Sequence, residues 1–178
     1  MDQRGHGDAD KPAGGYALTD FAADVQAFMD AMDLRSAVLL GSSSGGYVAQ
    51  QVAIGIPDRV SGLVLVGAPR SLRGRPSFAD EVERVDDGVP APAYAWRQAL
   101  AGLTTPRPPT QTGTIAAPTL VIWGARDELL PWEEERALAA AIPGSRLVVY
   151  QGTGHLVLWE QPERVAGDLA AFVDSLPS

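Results

Sequence analysis

Apolar residues fall along this chain in two alternating rhythms. The runs Ala37-Val38-Leu39-Leu40, Gly62-Leu63-Val64-Leu65-Val66-Gly67, Thr119-Leu120-Val121-Ile122-Trp123-Gly124 and Leu147-Val148-Val149-Tyr150 are short and continuous. Such runs suit strands buried on both faces. Around them, apolar positions recur at helical spacing. Phe21, Val25, Phe28, Met29 and Met32 share one face of a core helix, which Thr19 or Asp20 can cap. Val48, Val52 and Ile56 mark a second helix that ends before Pro57. A third covers 131–142, with Glu133, Glu134 and Glu135 in its first turn. The helix dipole favours acids there, so this run reads as a solvated helix start and not a metal site. A last helix begins near Pro162 and buries Val165, Leu169, Phe172 and Val173.

Residues 1–18 are rich in Gly, Asp and Pro and read as loop. Residues 70–113 change character towards Pro, Arg, Asp and Gly. They carry a weak helical pattern around 78–85, a better one around 94–103, and a proline-rich connector at 104–109. This stretch reads as a short lid or surface insertion. Strands alternating with helices predict an α/β fold, a mostly parallel sheet covered by helices on both faces. One domain over 1–178 accommodates it. Sites in such sheets form at the carboxyl ends of the strands, so the chemistry is expected just after Leu40, Val66, Trp123 and Tyr150.

Composition narrows the classes. With 178 residues and 46% hydrophobic content, the chain can bury a real core. A formal net charge of −8 argues against nucleic acid as the main partner. There is no cysteine, hence no disulfide, thiolate metal site or thiol nucleophile. A reducing cytoplasm is the default compartment. The start, Met1-Asp2-Gln3-Arg4-Gly5-His6-Gly7, lacks the apolar stretch of a signal peptide, and no segment has the length of a membrane span.

The first apolar run leads into Gly41-Ser42-Ser43-Ser44-Gly45-Gly46, with a helical pattern behind it. A nucleophile must stand clear of the backbone, where a base reaches one side and a substrate carbonyl the other. A tight strand-to-helix turn does this with Ser43 at its apex, and small residues beside it let strand and helix approach. The N–H of Ser44, at the helix N-terminus, suits a developing oxyanion. A serine hydroxyl needs a base. Of the two histidines, His155 follows the fourth run on a glycine loop, at the right end of the sheet, whereas His6 lies in the N-terminal loop. The base needs an acid, and Asp127 follows the third run, with Glu128 as the runner-up. The loop Gly67-Ala68-Pro69 offers no carboxylate. Trp123, Trp132 and Trp159 are scaffold or line an apolar acyl pocket.

Together these motifs make the sequence resemble the α/β-hydrolase family along most of its length. Asp2-Gln3-Arg4-Gly5-His6-Gly7 is similar to the loop after the family's fourth strand. Ser43 matches the elbow nucleophile, and Asp127 the acid after the seventh strand. His155, followed by Leu156-Val157-Leu158-Trp159-Glu160-Gln161-Pro162-Glu163, matches the histidine after the eighth. The look is that of esterases, lactonases and cofactor-free haloperoxidase-type hydrolases, and the serine elbow argues against the aspartate-nucleophile branches.

The resemblance implies a serine hydrolase cleaving a small, largely apolar ester, lactone or thioester, with no metal or organic cofactor. The alternative is a repurposed fold that binds a small molecule or protein and catalyses little. The family's chain carries four strands and a helix before the point matching Asp2, so the runs here correspond to its fifth to eighth strands. Residues 37–40 would then form a sheet edge, covered by a partner such as a second copy of the chain. The resemblance likewise implies that the oxyanion donor supplied after the family's third strand would have no counterpart within this sequence. That loss is worth about 10²–10³ in rate unless a partner subunit or the Asp2-to-Gly7 loop substitutes.

Overall fold

The computed structural model describes residues 1–71, 93–104 and 111–177. The weak helical pattern expected at 78–85 and nearly all of the connector at 104–109 lie outside them. The chain groups into two compact units, Met1–Met32 with Leu72–Pro109, and Asp33–Ser71 with Thr110–Ser178.

In the first unit, α1 spans Leu18–Ala31 and begins after Ala17, not at Thr19 or Asp20. Alanine has no capping oxygen, so Asp20 reaches back from inside the first turn and accepts the Ala17 N–H at 2.8 Å. Phe21 and Met29 are each 1% exposed, but Phe28 is 42% and Met32 58% exposed. The apolar stripe read from periodicity is therefore wider than the face that packs. Helix α3, Ala93–Thr104, lies where the stronger pattern predicted it. Its Gly102 meets the chain at Tyr16 so closely that a Cβ would stand 1.6 Å from the Tyr16 carbonyl oxygen.

The second unit holds the sheet. Strands β1 (Ala37–Ser42), β2 (Val60–Val66), β3 (Thr119–Gly124) and β4 (Arg146–Tyr150) are parallel and lie in sequence order. Each coincides with an apolar run, with β2 starting two residues earlier than the run and β4 one. The two central strands are apolar on both faces because both faces are covered. Val64, Val66, Leu120, Ile122 and Tyr150 form a core with Val157, Val165 and Phe172. Strands β1 and β4 are the outer strands of the sheet among the described residues, and Leu40 of β1 is 42% exposed.

Helix α2 (Ser44–Gly55) packs on β1 and β2 and buries Val48 and Val52. Helix α4 (Trp132–Ala141) packs on β3 and β4. Its acidic first turn is not wholly solvated, because Glu135 shares the inward face with Leu138 and both are fully buried. A one-turn helix, α5 (Val157–Glu160), precedes α6 (Pro162–Asp174). Helix α6 buries Val165 and Phe172, but Val173 faces outward, 48% exposed. Its Asp168 accepts the Tyr150 hydroxyl at 2.6 Å, and the Arg164 guanidinium lies 3.8 Å over the Tyr150 ring. Burial and the Asp168 bond both push the Tyr150 hydroxyl pKa up, so it remains a donor.

Candidate active site

The turn between β1 and α2 is shaped by contacts that leave no room for side chains. A Cβ on Gly41 would sit 2.4 Å from the Gly45 carbonyl oxygen and 2.6 Å from the Gly46 Cα. A Cβ on Gly46 would sit 2.3 Å from that of Ala68, which follows β2. Ser43 stands at the apex with φ 50° and ψ −123°, a conformation that L-residues rarely adopt. Hydrogen bonds hold it there: its N–H donates to the Val66 carbonyl at 2.9 Å, and the Gly46 N–H donates to its carbonyl at 3.0 Å. Ser44 is the first residue of α2, so its N–H has no acceptor within the helix.

Buried Gln50 secures the turn from beneath. Its amide donates to the Gly46 carbonyl at 3.1 Å and to the Pro69 carbonyl at 3.0 Å. Helix α2 is thereby tied to the loop after β2. Sequence reasoning missed this residue, one of two adjacent amides, Gln50 and Gln51, that nothing local tells apart.

The loops after β3 and β4 bring the other two side chains in. His155 Nε2 lies 3.0 Å from Ser43 Oγ, and His155 Nδ1 lies 2.7 Å from Asp127 Oδ2. The Asp127 side chain is fully buried and that of His155 is 13% exposed. The second Asp127 oxygen accepts the backbone N–H groups of Leu129 at 2.8 Å and Leu130 at 2.9 Å. Burial alone would raise the Asp127 pKa. The bond from His155 and the two backbone N–H groups outweigh it and hold the carboxyl below its ordinary value. An ionised Asp127 only accepts, so His155 Nδ1 carries the proton and the Nε2 lone pair faces the serine hydroxyl. A chain of proton donors and acceptors runs from Ser43 to a buried carboxylate.

The two loops are pressed together by backbone. A Cβ on Gly124 would lie 2.1 Å from the Gly154 carbonyl oxygen and 2.6 Å from that of Thr153. The Ala125 N–H donates to the Tyr150 carbonyl at 3.0 Å, and the Arg126 N–H to the Thr153 carbonyl at 2.8 Å. Gly67, at φ 50°, backs onto His155, whose Nδ1 would stand 3.5 Å from a Cβ there.

Glu128, next to Asp127, is exposed and makes no part of this arrangement. His6 belongs to the other compact unit, where its Nδ1 lies 3.1 Å from the Arg4 carbonyl oxygen. Trp123 is buried, donates to the Leu130 carbonyl at 3.2 Å and lies 5.1 Å from the Trp132 ring, so it braces the Asp127 loop. Trp159 is 83% exposed. Among the described residues, no cluster of three or more His, Cys, Asp or Glu side chains is placed to hold a metal ion. No described helix is long and apolar enough to cross a membrane.

The lowered Asp127 pKa carries a pH consequence. A carboxyl whose folded pKa lies below its unfolded one, about 3.9, stabilises the fold fully above that value. The contribution is lost as pH falls from about 4 through the folded pKa. Urea midpoints measured from pH 7 down to pH 3 should therefore fall more steeply for the native chain than for Asp127→Asn. Parallel curves would mean that the carboxylate is not held in this way.

The family described as "Alpha/beta hydrolase family" matches residues 1–169. A non-heme chloroperoxidase of Streptomyces lividans is 29% identical over 98% of this chain and 80% of its own. An uncharacterized Mycobacterium tuberculosis protein is 25% identical over 98% of this chain, which spans 66% of that protein's length. Among solved structures, a thermophilic esterase from Thermogutta terrifontis superposes with a TM-score of 0.86 at 28% identity, covering 97% of this chain and 78% of the other. An esterase from Exiguobacterium antarcticum gives 0.85 at 25% identity, covering 98% and 80%.

Proposed function

Because this chain belongs to the alpha/beta hydrolase family, we propose that it hydrolyses a small, largely apolar carboxylic ester, lactone or thioester through an acyl-enzyme on Ser43. One observation carries the reading: His155 is bonded on one side to Ser43 Oγ and on the other to a buried carboxylate. Two similar structures named as esterases support the same chemistry.

In this mechanism Ser43 Oγ attacks the substrate carbonyl carbon while His155 Nε2 takes its proton. Asp127 keeps the proton on Nδ1 and stabilises the imidazolium that forms. The carbonyl oxygen becomes an oxyanion facing the Ser44 N–H and the positive end of α2. Collapse of the tetrahedral adduct breaks the bond to the leaving group, which departs with the proton from His155. A water then attacks the acyl carbon, gives its proton to His155 Nε2, and releases the acid. Ser43 recovers its proton from His155.

A fluorophosphonate tests the assignment, since it needs only an activated serine and not the right substrate. Mass spectrometry should place one phosphonyl adduct on the peptide carrying Ser43, with none on Ser43→Ala. Folded native protein that takes no label would overturn the proposal.

A further inference from the structure

We infer that Glu160 is a positioning residue for His155, acting through the backbone N–H of Gly154. The inference rests on the proposed role of His155 as the base. After β4 the chain reaches His155 through Gly152, Thr153 and Gly154. One side of this loop rests on bare backbone at Gly124. The other side is closed by Glu160, the last residue of α5, whose Oε2 accepts the Gly154 N–H at 2.9 Å. The bond ties the residue just before His155 to the end of the helix just after it, so His155 sits inside a closed turn.

Two features set this contact apart from a chance surface bond. Its acceptor is charged, which makes it stronger than a neutral pair. The carboxylate also lies directly against the glycine backbone, since a Cβ on Gly154 would stand 3.0 Å from Glu160 Oε1. Glu160 itself is exposed and adds little to the core. Its effect should fall on geometry: the base must keep its reach to Ser43, and a misplacement of about 1 Å can lower a rate by about 10²-fold.

The test is steady-state hydrolysis of a p-nitrophenyl ester by Glu160→Ala, Glu160→Gln and Glu160→Asp, with a thermal midpoint for each. Glu160→Ala should lower kcat by about 10- to 100-fold and leave KM within about twofold, because the change acts on the base and not on substrate binding. Glu160→Gln keeps an oxygen acceptor at the same reach and should recover most of kcat. Glu160→Asp keeps the charge but falls one methylene short, so it should resemble Glu160→Ala. This last pair decides the matter even if Glu160→Ala folds poorly.

Unchanged kcat in Glu160→Ala would overturn the inference, as would equal losses in the Gln and Ala variants or a raised KM with kcat intact. A native protein that neither takes the fluorophosphonate nor turns over the ester would instead overturn the reading of Ser43 on which the inference rests.

Discussion

Ser43→Ala is expected to lower kcat for a p-nitrophenyl ester by about 10⁴–10⁶-fold and to leave the thermal midpoint nearly unchanged. The change removes one oxygen and its bond to His155 Nε2. The turn itself is built from backbone bonds, Ser43 N–H to Val66 and Gly46 N–H to Ser43, which alanine keeps. In the proposed mechanism the three side chains act as a unit, so their losses should not add. Ser43→Ala combined with His155→Ala should be no slower than Ser43→Ala alone. Rates need background hydrolysis subtracted. A loss of less than tenfold would mean that turnover does not pass through Ser43.

Gly41→Ala is expected to destabilise the fold by roughly 2–4 kcal/mol, from the upper part of the usual range for overpacking to somewhat above it. The new Cβ would meet Gly45 oxygen at 2.4 Å, Gly45 carbonyl carbon at 2.6 Å and Gly46 Cα at 2.6 Å. All three are backbone atoms, so no rotamer relieves the overlap and α2 must move off β1. Ser43 moves with it, and kcat should fall by about 10²-fold or more even where the protein remains folded. Urea denaturation read by circular dichroism checks the first part, ester turnover the second. Gly55→Ala, at the far end of α2 with nothing within 4 Å of its Cβ, is the control. It should be neutral or stabilise by up to about 1 kcal/mol. Equal effects at both positions would refute the steric account.

The sheet was legible because its strands are covered on both sides. Burial of that kind demands an unbroken apolar run, so β3 could be read from Thr119 to Gly124 without help from tertiary contacts. Ser43, Asp127 and His155 were legible for a related reason, since each follows such a run where loops converge. Helix faces were less so. Periodicity marks Phe28, Met32 and Val173 as core, yet they are exposed, because the width of the packed stripe depends on the neighbours and not on the helix alone. Glu135 errs the other way, an acid drawn into the core by its place on the inward face of α4. Gln50, Glu160 and Gly124 had no local signal. Their roles lie in contacts to backbone four or more residues away along the chain, and up to thirty for Gly124, which only the folded chain brings near.

The backbone at Ser43 sets two selective pressures against each other. With φ 50° and ψ −123°, the position suits glycine better than any residue with a side chain, and strain of this kind costs about 1–3 kcal/mol. Glycine there would relax the turn and remove the hydroxyl in a single step. A laboratory selection for heat resistance alone would favour that replacement, while one that also demanded ester turnover would reject it. On the proposed mechanism, robustness and reactivity pull in opposite directions at residue 43, and a stabilising campaign on this scaffold would have to hold it fixed.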